Sequence, residues 1–347
     1  MNRNETAGLP RQGRTWVTAA EWFAGGQRIG YHPEAARVLT EEEAAAAPAA
    51  LRVFERVAPA GDDADAVWLT LLPGFPEGSY GWAQVDRMLG DGLGPRLYVE
   101  PVGQGDSDKP RHYSYSTVER ANLVEALWRH HGVRRTVVVT FDYTSLAMLE
   151  LLRRQLELTR SGRTATPVIT AVFMVNGGLF ADAQTHPWQG TPLLRSPLGA
   201  LAMWGTQRSP RRLDGSLIRA RIYARGYRPT PQELAELRSA ILRRDGAAFM
   251  HNAAGFVGEH HRNAQRWDLA AIARSLGGTV ALYVGGSDED PYEHRQIPAT
   301  RERVPDAKVL TFPGGHLTTS EHPDLLAAAI RDIAARHGVA APATAHQ

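Results

Sequence analysis

Three residues stand where side chains could do chemistry together. Asp142 follows the β-branched run Thr136 to Thr140 and precedes a helical pattern, Asp288 follows the apolar run Leu282 to Val284, and His316 follows Phe312-Pro313-Gly314-Gly315. In a sheet whose strands run parallel, residues just past the carboxyl ends of the strands gather at one edge, where such sheets bind ligands. A nucleophile on a sharp strand-to-helix turn, then an acid, then a histidine is a known chain order for a catalytic triad. Asp142 thus occupies the nucleophile position, Asp288 suits the acid that orients a histidine, and His316 supplies the imidazole. The backbone N–H groups of Phe75, just past the run Val67 to Leu72, and of Tyr143 are placed to form an anion hole.

Each residue also has a plainer reading. Aspartate is a favoured helix N-cap, which would account for Asp142 alone. Gly285-Gly286-Ser287-Asp288 could be only a turn, and Asp290 competes for the acid's place, although the spacing from the strand favours Asp288. His316 could be a solvated loop residue; the order of the three argues against this. Ser145 lies too far into the helix for a serine nucleophile. Gly103-Gln104-Gly105 lacks the third glycine and the helix of a dinucleotide loop. The neighbours His130-His131 and His260-His261 cannot share one helix face, so no metal site is expected.

The elements that would position these groups alternate along the chain. Segments around Gly26 to Tyr31 and Leu51 to Val57 read as two antiparallel opening strands. Strand runs at Val67 to Leu72, Arg96 to Glu100, Thr136 to Thr140, Ile169 to Val175, Val280 to Val284 and Lys308 to Phe312 are interleaved with helical patterns at Ser116 to His131, Ser145 to Thr159 and Pro323 to His337. This alternation predicts an α/β fold with a doubly wound, mostly parallel sheet. Residues 180–268 carry helical stretches, prolines and arginines and no convincing strand, so they read as a helical cap inserted into a core of residues 15–179 and 269–337. Residues 1–14 and 338–347 read as flexible tails.

Bulk properties narrow the function. Of 347 residues, 39 are Lys or Arg and 37 are Asp or Glu, and the basic residues are scattered, which argues against nucleic acid or a membrane surface as partner. No apolar run approaches the ~20 residues of a membrane helix. The first residues are polar and lack the apolar stretch of a signal peptide. The count of cysteines is zero, which excludes disulfides and thiolate chemistry. A cytoplasmic protein with a small-molecule substrate and no cofactor is expected; a homo-oligomer is left open.

The chain resembles the epoxide hydrolase and haloalkane dehalogenase branch of the α/β-hydrolases. The resemblance is carried by Gly74-Phe75-Pro76 with Trp82, by the loop Gly103 to Pro110, by Asp142-Tyr143, by Asp288 and by Gly315-His316. More narrowly it is similar to the mesoderm-specific transcript subgroup, through Tyr113-Ser114, Val124-Glu125-Ala126-Leu127, Arg160-Ser161-Gly162-Arg163, Asn176-Gly177-Gly178 and Asp245-Gly246. The likeness implies an epoxide hydrolase-like reaction on a small, largely apolar molecule. Asp142 would form an alkyl-enzyme ester that water hydrolyses. It also implies donors for the leaving oxygen or halide, with Tyr227 first, then Tyr223, Trp204 and Asn176.

The chain departs from the family pattern at four places. Phe141 and Thr144 replace the histidine and glycine that flank the usual elbow, Pro73 replaces a histidine, and Phe256 stands where a second cap tyrosine is common. A branched residue at Thr144 is expected to strain or widen the elbow. These departures motivate two rival expectations: a recruited cyclisation, isomerisation or elimination in natural-product biosynthesis, and a binding protein that keeps only the pocket.

Overall fold

The computed structural model describes residues 16–58, 65–185, 198, 201, 205, 208–219, 222–244 and 258–339. Among them a nine-stranded sheet forms from β1 (Gln27–His32), β2 (Arg37–Leu39), β3 (Leu51–Ala58), β4 (Val67–Leu72), β5 (Arg96–Val99), β6 (Arg135–Phe141), β7 (Val168–Val175), β8 (Ala281–Ser287) and β9 (Lys308–Phe312). The order across the sheet is β2-β1-β3-β5-β4-β6-β7-β8-β9. The first three strands are antiparallel and β3 meets β5 antiparallel, whereas β4 to β9 run parallel. The opening carries one strand more than expected, because Arg37–Leu39 adds an edge strand to β1. Three residues are too few to show an alternating pattern.

Strand β6 shows why the parallel strands read as unbroken apolar runs. Val137 and Val139 face the cluster that holds the helices Ala83–Leu89 and Pro323–Arg336, while Val138 faces the cluster that holds Thr117–His130, Thr144–Arg160 and Leu269–Leu276. All three valines are fully buried, each contributing roughly 1.5–3 kcal/mol by leaving water. A strand covered on both faces has no polar side to alternate with. The parallel order carries the ends of β4, β6, β7, β8 and β9 to one edge of the sheet.

Between β7 and the helix Leu269–Leu276 the described residues include the α-helices Pro210–Arg219, Pro231–Leu242 and Glu259–Arg262 and contain no strand. Pro231–Leu242 begins with a capping box, in which Thr230 and Glu233 satisfy each other's backbone N–H groups. It buries Leu237, Ala240 and Ile241 in the cluster that also holds Trp22 of the first helix, Ala19–Ala24. The Ala19 N–H donates to Glu236 at 2.8 Å, a charge-assisted cap between the two. Among the described residues no helix is long and apolar enough to cross a membrane.

Candidate active site

The elbow after β6 is tight. Asp142 adopts φ 56°, a left-handed conformation that strains most residues but that aspartate tolerates. Its N–H still donates to Val175 O at 2.9 Å, and its own carbonyl accepts from Ser145 N at 3.1 Å. The turn therefore consumes no more than Asp142 and Tyr143 before the helix Thr144–Arg160 begins. The expected widening at Thr144 does not occur. The left-handed residue is Asp142, and Thr144 is already helical, with its hydroxyl shared between Phe141 O at 2.9 Å and Leu72 O at 3.2 Å. Phe141 is buried below the site, its ring 5.5 Å from that of His316 and edge-on to Trp82 at 6.2 Å. A Cβ on Gly74 would lie 2.5 Å from the Phe141 ring, so the large residue at 141 requires glycine opposite it.

The imidazole is held between two carboxylates. His316 Nδ1 is 2.8 Å from Asp290 Oδ2, and Nε2 is 3.5 Å from Asp142 Oδ1. The carboxylate that meets the imidazole is thus Asp290, where Asp288 was expected. β8 continues to Ser287, so Asp288 has barely left the strand; its N–H donates to Phe312 O at 3.0 Å and its carboxylate accepts from Gly314 N at 2.9 Å. Two further residues bring the chain beneath His316, where Asp290 Oδ1 accepts the N–H groups of Tyr292 at 2.9 Å and Glu293 at 3.2 Å. Asp288 serves the histidine loop by bracing Gly314.

That loop is also fixed from above. A Cβ on Gly315 would lie 2.3 Å from Ala224 N, and Leu317 N donates to Ile222 O at 3.0 Å. Residues 222–224 therefore lie directly against the histidine loop.

Burial opposes a charge on His316, but Asp290 and Asp142 outweigh it and hold the imidazole pKa well above its ordinary value. Asp290 is likewise buried, and the imidazolium with the Tyr292 and Glu293 amides keeps its pKa below normal. Phe75 N–H, one of the two amides expected to form an anion hole, donates to Asp142 Oδ2 at 3.0 Å. Tyr143, the other expected contributor, precedes the helix Thr144–Arg160 directly, so its amide belongs to the helix N-terminal end beside Asp142.

Two buried acids near this pair were not singled out from the sequence. Glu77 follows the Gly74-Phe75-Pro76 segment; burial first, and then the negative Asp142, push its pKa up to about 7. Glu293 is raised well above the carboxylate range by burial and by Asp290. An acid three residues after the anion-hole glycine was the available signal for Glu77. Nothing in periodicity marks Glu293.

The structure separates the expected leaving-group donors. The Tyr227 hydroxyl donates to the Glu233 carboxylate within its own segment. Asn176 Nδ2 contacts His316 O at 2.7 Å, Ser287 Oγ at 3.0 Å and Thr318 Oγ1 at 3.1 Å, while its Oδ1 accepts from Ser287 N at 2.9 Å. Asn176 is therefore a clamp between the ends of β7 and β8 and the histidine loop, with no hydrogen to spare for a leaving group. Tyr223 is stacked on Tyr227 with ring centres 5.2 Å apart and lines a small cavity with Glu77 and Leu317. Trp204 and Phe256 lie outside the described residues.

Glu55, His130 and His131 do come together, with ligand atoms within 4.8 Å of one another. As they stand, His131 Nε2 lies within hydrogen-bond distance of Glu55 Oε2 at 2.7 Å, and Gln27 Nε2 donates to the other carboxylate oxygen at 3.0 Å.

Comparison with known proteins agrees with this architecture. The chain is 30% identical over 284 residues to LipZ of Mycobacterium tuberculosis, which bears a provisional hydrolase name; the match covers 80% of this chain and 90% of that protein. It is 32% identical over 218 residues to the mesoderm-specific transcript protein of Mus musculus, across 60% of this chain and 61% of the relative. Among solved structures, the epoxide hydrolase CorEH superposes with a TM-score of 0.63 at 15% identity, over 82% of this chain and 95% of that one, a likeness of fold alone. The sequence profile of the alpha/beta hydrolase family matches residues 71–329, and the chain belongs to that family.

Proposed function

We propose that the protein is a hydrolase whose nucleophile is Asp142, acting on an epoxide or a similarly electrophilic saturated carbon in a small, largely apolar molecule. The observation that carries this reading is the double engagement of Asp142: one oxygen on the Phe75 N–H, the other facing His316, whose far nitrogen rests on Asp290. In the first step Asp142 Oδ1 attacks carbon, the ring C–O bond breaks, and the oxygen takes a proton. Tyr223 is the candidate donor, because residues 222–224 pack on the histidine loop and its neighbour Tyr227 is engaged elsewhere.

Esterification removes the charge of Asp142, and with it one of the two influences that keep His316 protonated. The imidazole can then release its proton and accept one from water, which attacks the ester carbonyl carbon while Oδ2 carries the negative charge in the anion hole. Collapse frees the diol and restores Asp142. All roles fall to side chains and backbone amides, with the helices of residues 180–268 as the cap.

Trapping tests this. The His316→Gln protein, incubated with a panel of epoxides and haloalkanes, is expected to gain on the peptide containing Asp142 the mass of one epoxide, or of one haloalkane less the hydrogen halide released. No adduct with any member of the panel refutes the reading.

One observation favours a second reading. Glu77, with its pKa near 7, offers an acid beside the site, as a recruited isomerisation or elimination would need. Loss of turnover in Asp142→Asn with no adduct in His316→Gln would select it. The binder reading rested on a distorted elbow at Thr144, and the tight turn removes that motive.

A further inference from the structure

The peptide unit that presents its N–H to Asp142 is the one joining Gly74 to Phe75, and it is bonded at both ends. Phe75 N–H donates to Asp142 Oδ2 at 3.0 Å; at the other end Gly74 O accepts from Gln104 Nε2 at 2.9 Å. Gln104 Oε1 accepts in turn from Arg120 Nη1 at 3.3 Å. A guanidinium, a side-chain amide, a peptide and a carboxylate thus stand in line with every dipole pointing the same way.

We infer that Gln104 and Arg120 form a relay that fixes and polarises the anion-hole peptide, and so act as positioning residues for ester hydrolysis. The inference rests on the reading of Asp142 as nucleophile. Gln104 and Arg120 are 2% and 8% exposed, and in such surroundings each bond of a chain strengthens the next. Burial lowers the Arg120 pKa to about 10, which leaves it protonated at neutral pH, with Asp142 among the charges that hold it there. Separate elements hold the members in place. Gln104 sits in a turn after β5, where its N–H donates to Pro101 O at 3.1 Å and its carbonyl accepts from Ser107 N at 3.0 Å. Arg120 projects from the helix Thr117–His130, and Gly74 is pinned by Phe141 and Glu77.

The relay acts differently on the two steps. Ester formation discharges Asp142, so a polarised hole gives it no help. Ester hydrolysis places a full negative charge on Oδ2 beside the Phe75 N–H, and there a polarised donor lowers the barrier.

Pre-steady-state kinetics separate the steps, with the epoxide that labels His316→Gln as probe. Gln104→Met is expected to hydrolyse the ester roughly tenfold more slowly while forming it at the wild-type rate, so that ester accumulates. Arg120→Met should behave alike, and Arg120→Lys should restore most of the lost rate. Equal slowing of both steps, or wild-type hydrolysis, overturns the relay while the adduct in His316→Gln leaves Asp142's role standing. If no epoxide labels His316→Gln, the reading of Asp142 falls, and nuclear magnetic resonance of protein labelled at phenylalanine nitrogen judges the relay by itself. The Phe75 amide proton is expected to move upfield in both methionine variants that retain the wild-type circular dichroism spectrum. An unmoved resonance overturns the relay.

Discussion

Asp288 and Asp290 lie two residues apart in one turn, and only the second meets His316. Changing Asp290 to Asn keeps the shape but removes the charge that orients and stabilises the imidazolium; turnover of an accepted epoxide is expected to fall about 10³- to 10⁴-fold. Asp288→Ala should leave turnover within about threefold and cost on the order of 1 kcal/mol in a denaturant melt, the value of one bond to Gly314. Comparable losses in the two variants would contradict the assignment. The sequence placed an acid in this turn, since a strand end followed by glycines leads to the ligand edge. Which acid depended on where β8 ends, and Gly285-Gly286 reads as the start of a turn although both residues belong to the strand. Glu77 supplies a pH test at the same scale. Its ordinary value is 4.5 and its folded value about 7, so the folded state binds the extra proton and stability falls as pH rises through that interval. Melting should therefore occur at lower temperature near pH 8 than near pH 5, and Glu77→Gln should recover up to about 3 kcal/mol at the higher pH. An unchanged pH profile in the variant would show that Glu77 is ionised throughout.

At the scale of elements, the site depends on how five strand ends are tied together. Asn176 bonds Ser287, Thr318 and the carbonyl of His316, so it joins β7, β8 and the histidine loop. Asn176→Ala leaves the buried Ser287 N–H without its acceptor and takes one bond each from His316 O and the Ser287 and Thr318 hydroxyls; a loss of roughly 2–4 kcal/mol is expected, with a fall in turnover as His316 loses its brace. Thermal melts and rates on the same sample check both, and a stable variant with lowered turnover would show that Asn176 touches substrate instead. Strands covered on both faces were legible as apolar runs, Val67–Leu72 among them, and the half-exposed edge strand Lys308–Phe312 also falls where the sequence reading put it. The short β2 was not legible, because Arg37–Leu39 is defined by pairing with β1 rather than by a pattern of its own. The effect of Thr144 was misread for a related reason. The elbow's strain sits at Asp142, and a hydroxyl one step into the helix finds the Phe141 and Leu72 carbonyls, which only the fold brings near.

Across the whole molecule, the helix that carries the elbow is anchored by Glu150. This fully buried acid accepts from Arg153 and Arg154 on its own helix and, where the chain comes back toward β8, from Arg266 at 2.7 Å and Trp267 at 3.0 Å. The first two partners are legible as neighbours three and four residues on. The others lie more than a hundred positions away and follow from the fold alone. Burial works against its charge, yet these donors win and hold its pKa far below normal. The stability it contributes is present above the unfolded value of 4.5 and is lost as pH falls toward the folded one. Glu150→Gln is expected to cost about 3–5 kcal/mol near neutral pH and to lose most of its disadvantage in acid, as denaturant melts across pH would show. The family and the sheet are thus settled by apolar patterning and motif, whereas the chemistry turns on Asp142. The most direct measurement of that chemistry is a single turnover of excess enzyme in heavy-oxygen water with an accepted epoxide. If Asp142 is the nucleophile, its own oxygen leaves in the diol and the solvent oxygen appears in the peptide containing Asp142. Label found in the diol and absent from that peptide would mean that water attacks the substrate directly, and the nucleophile assignment would be wrong.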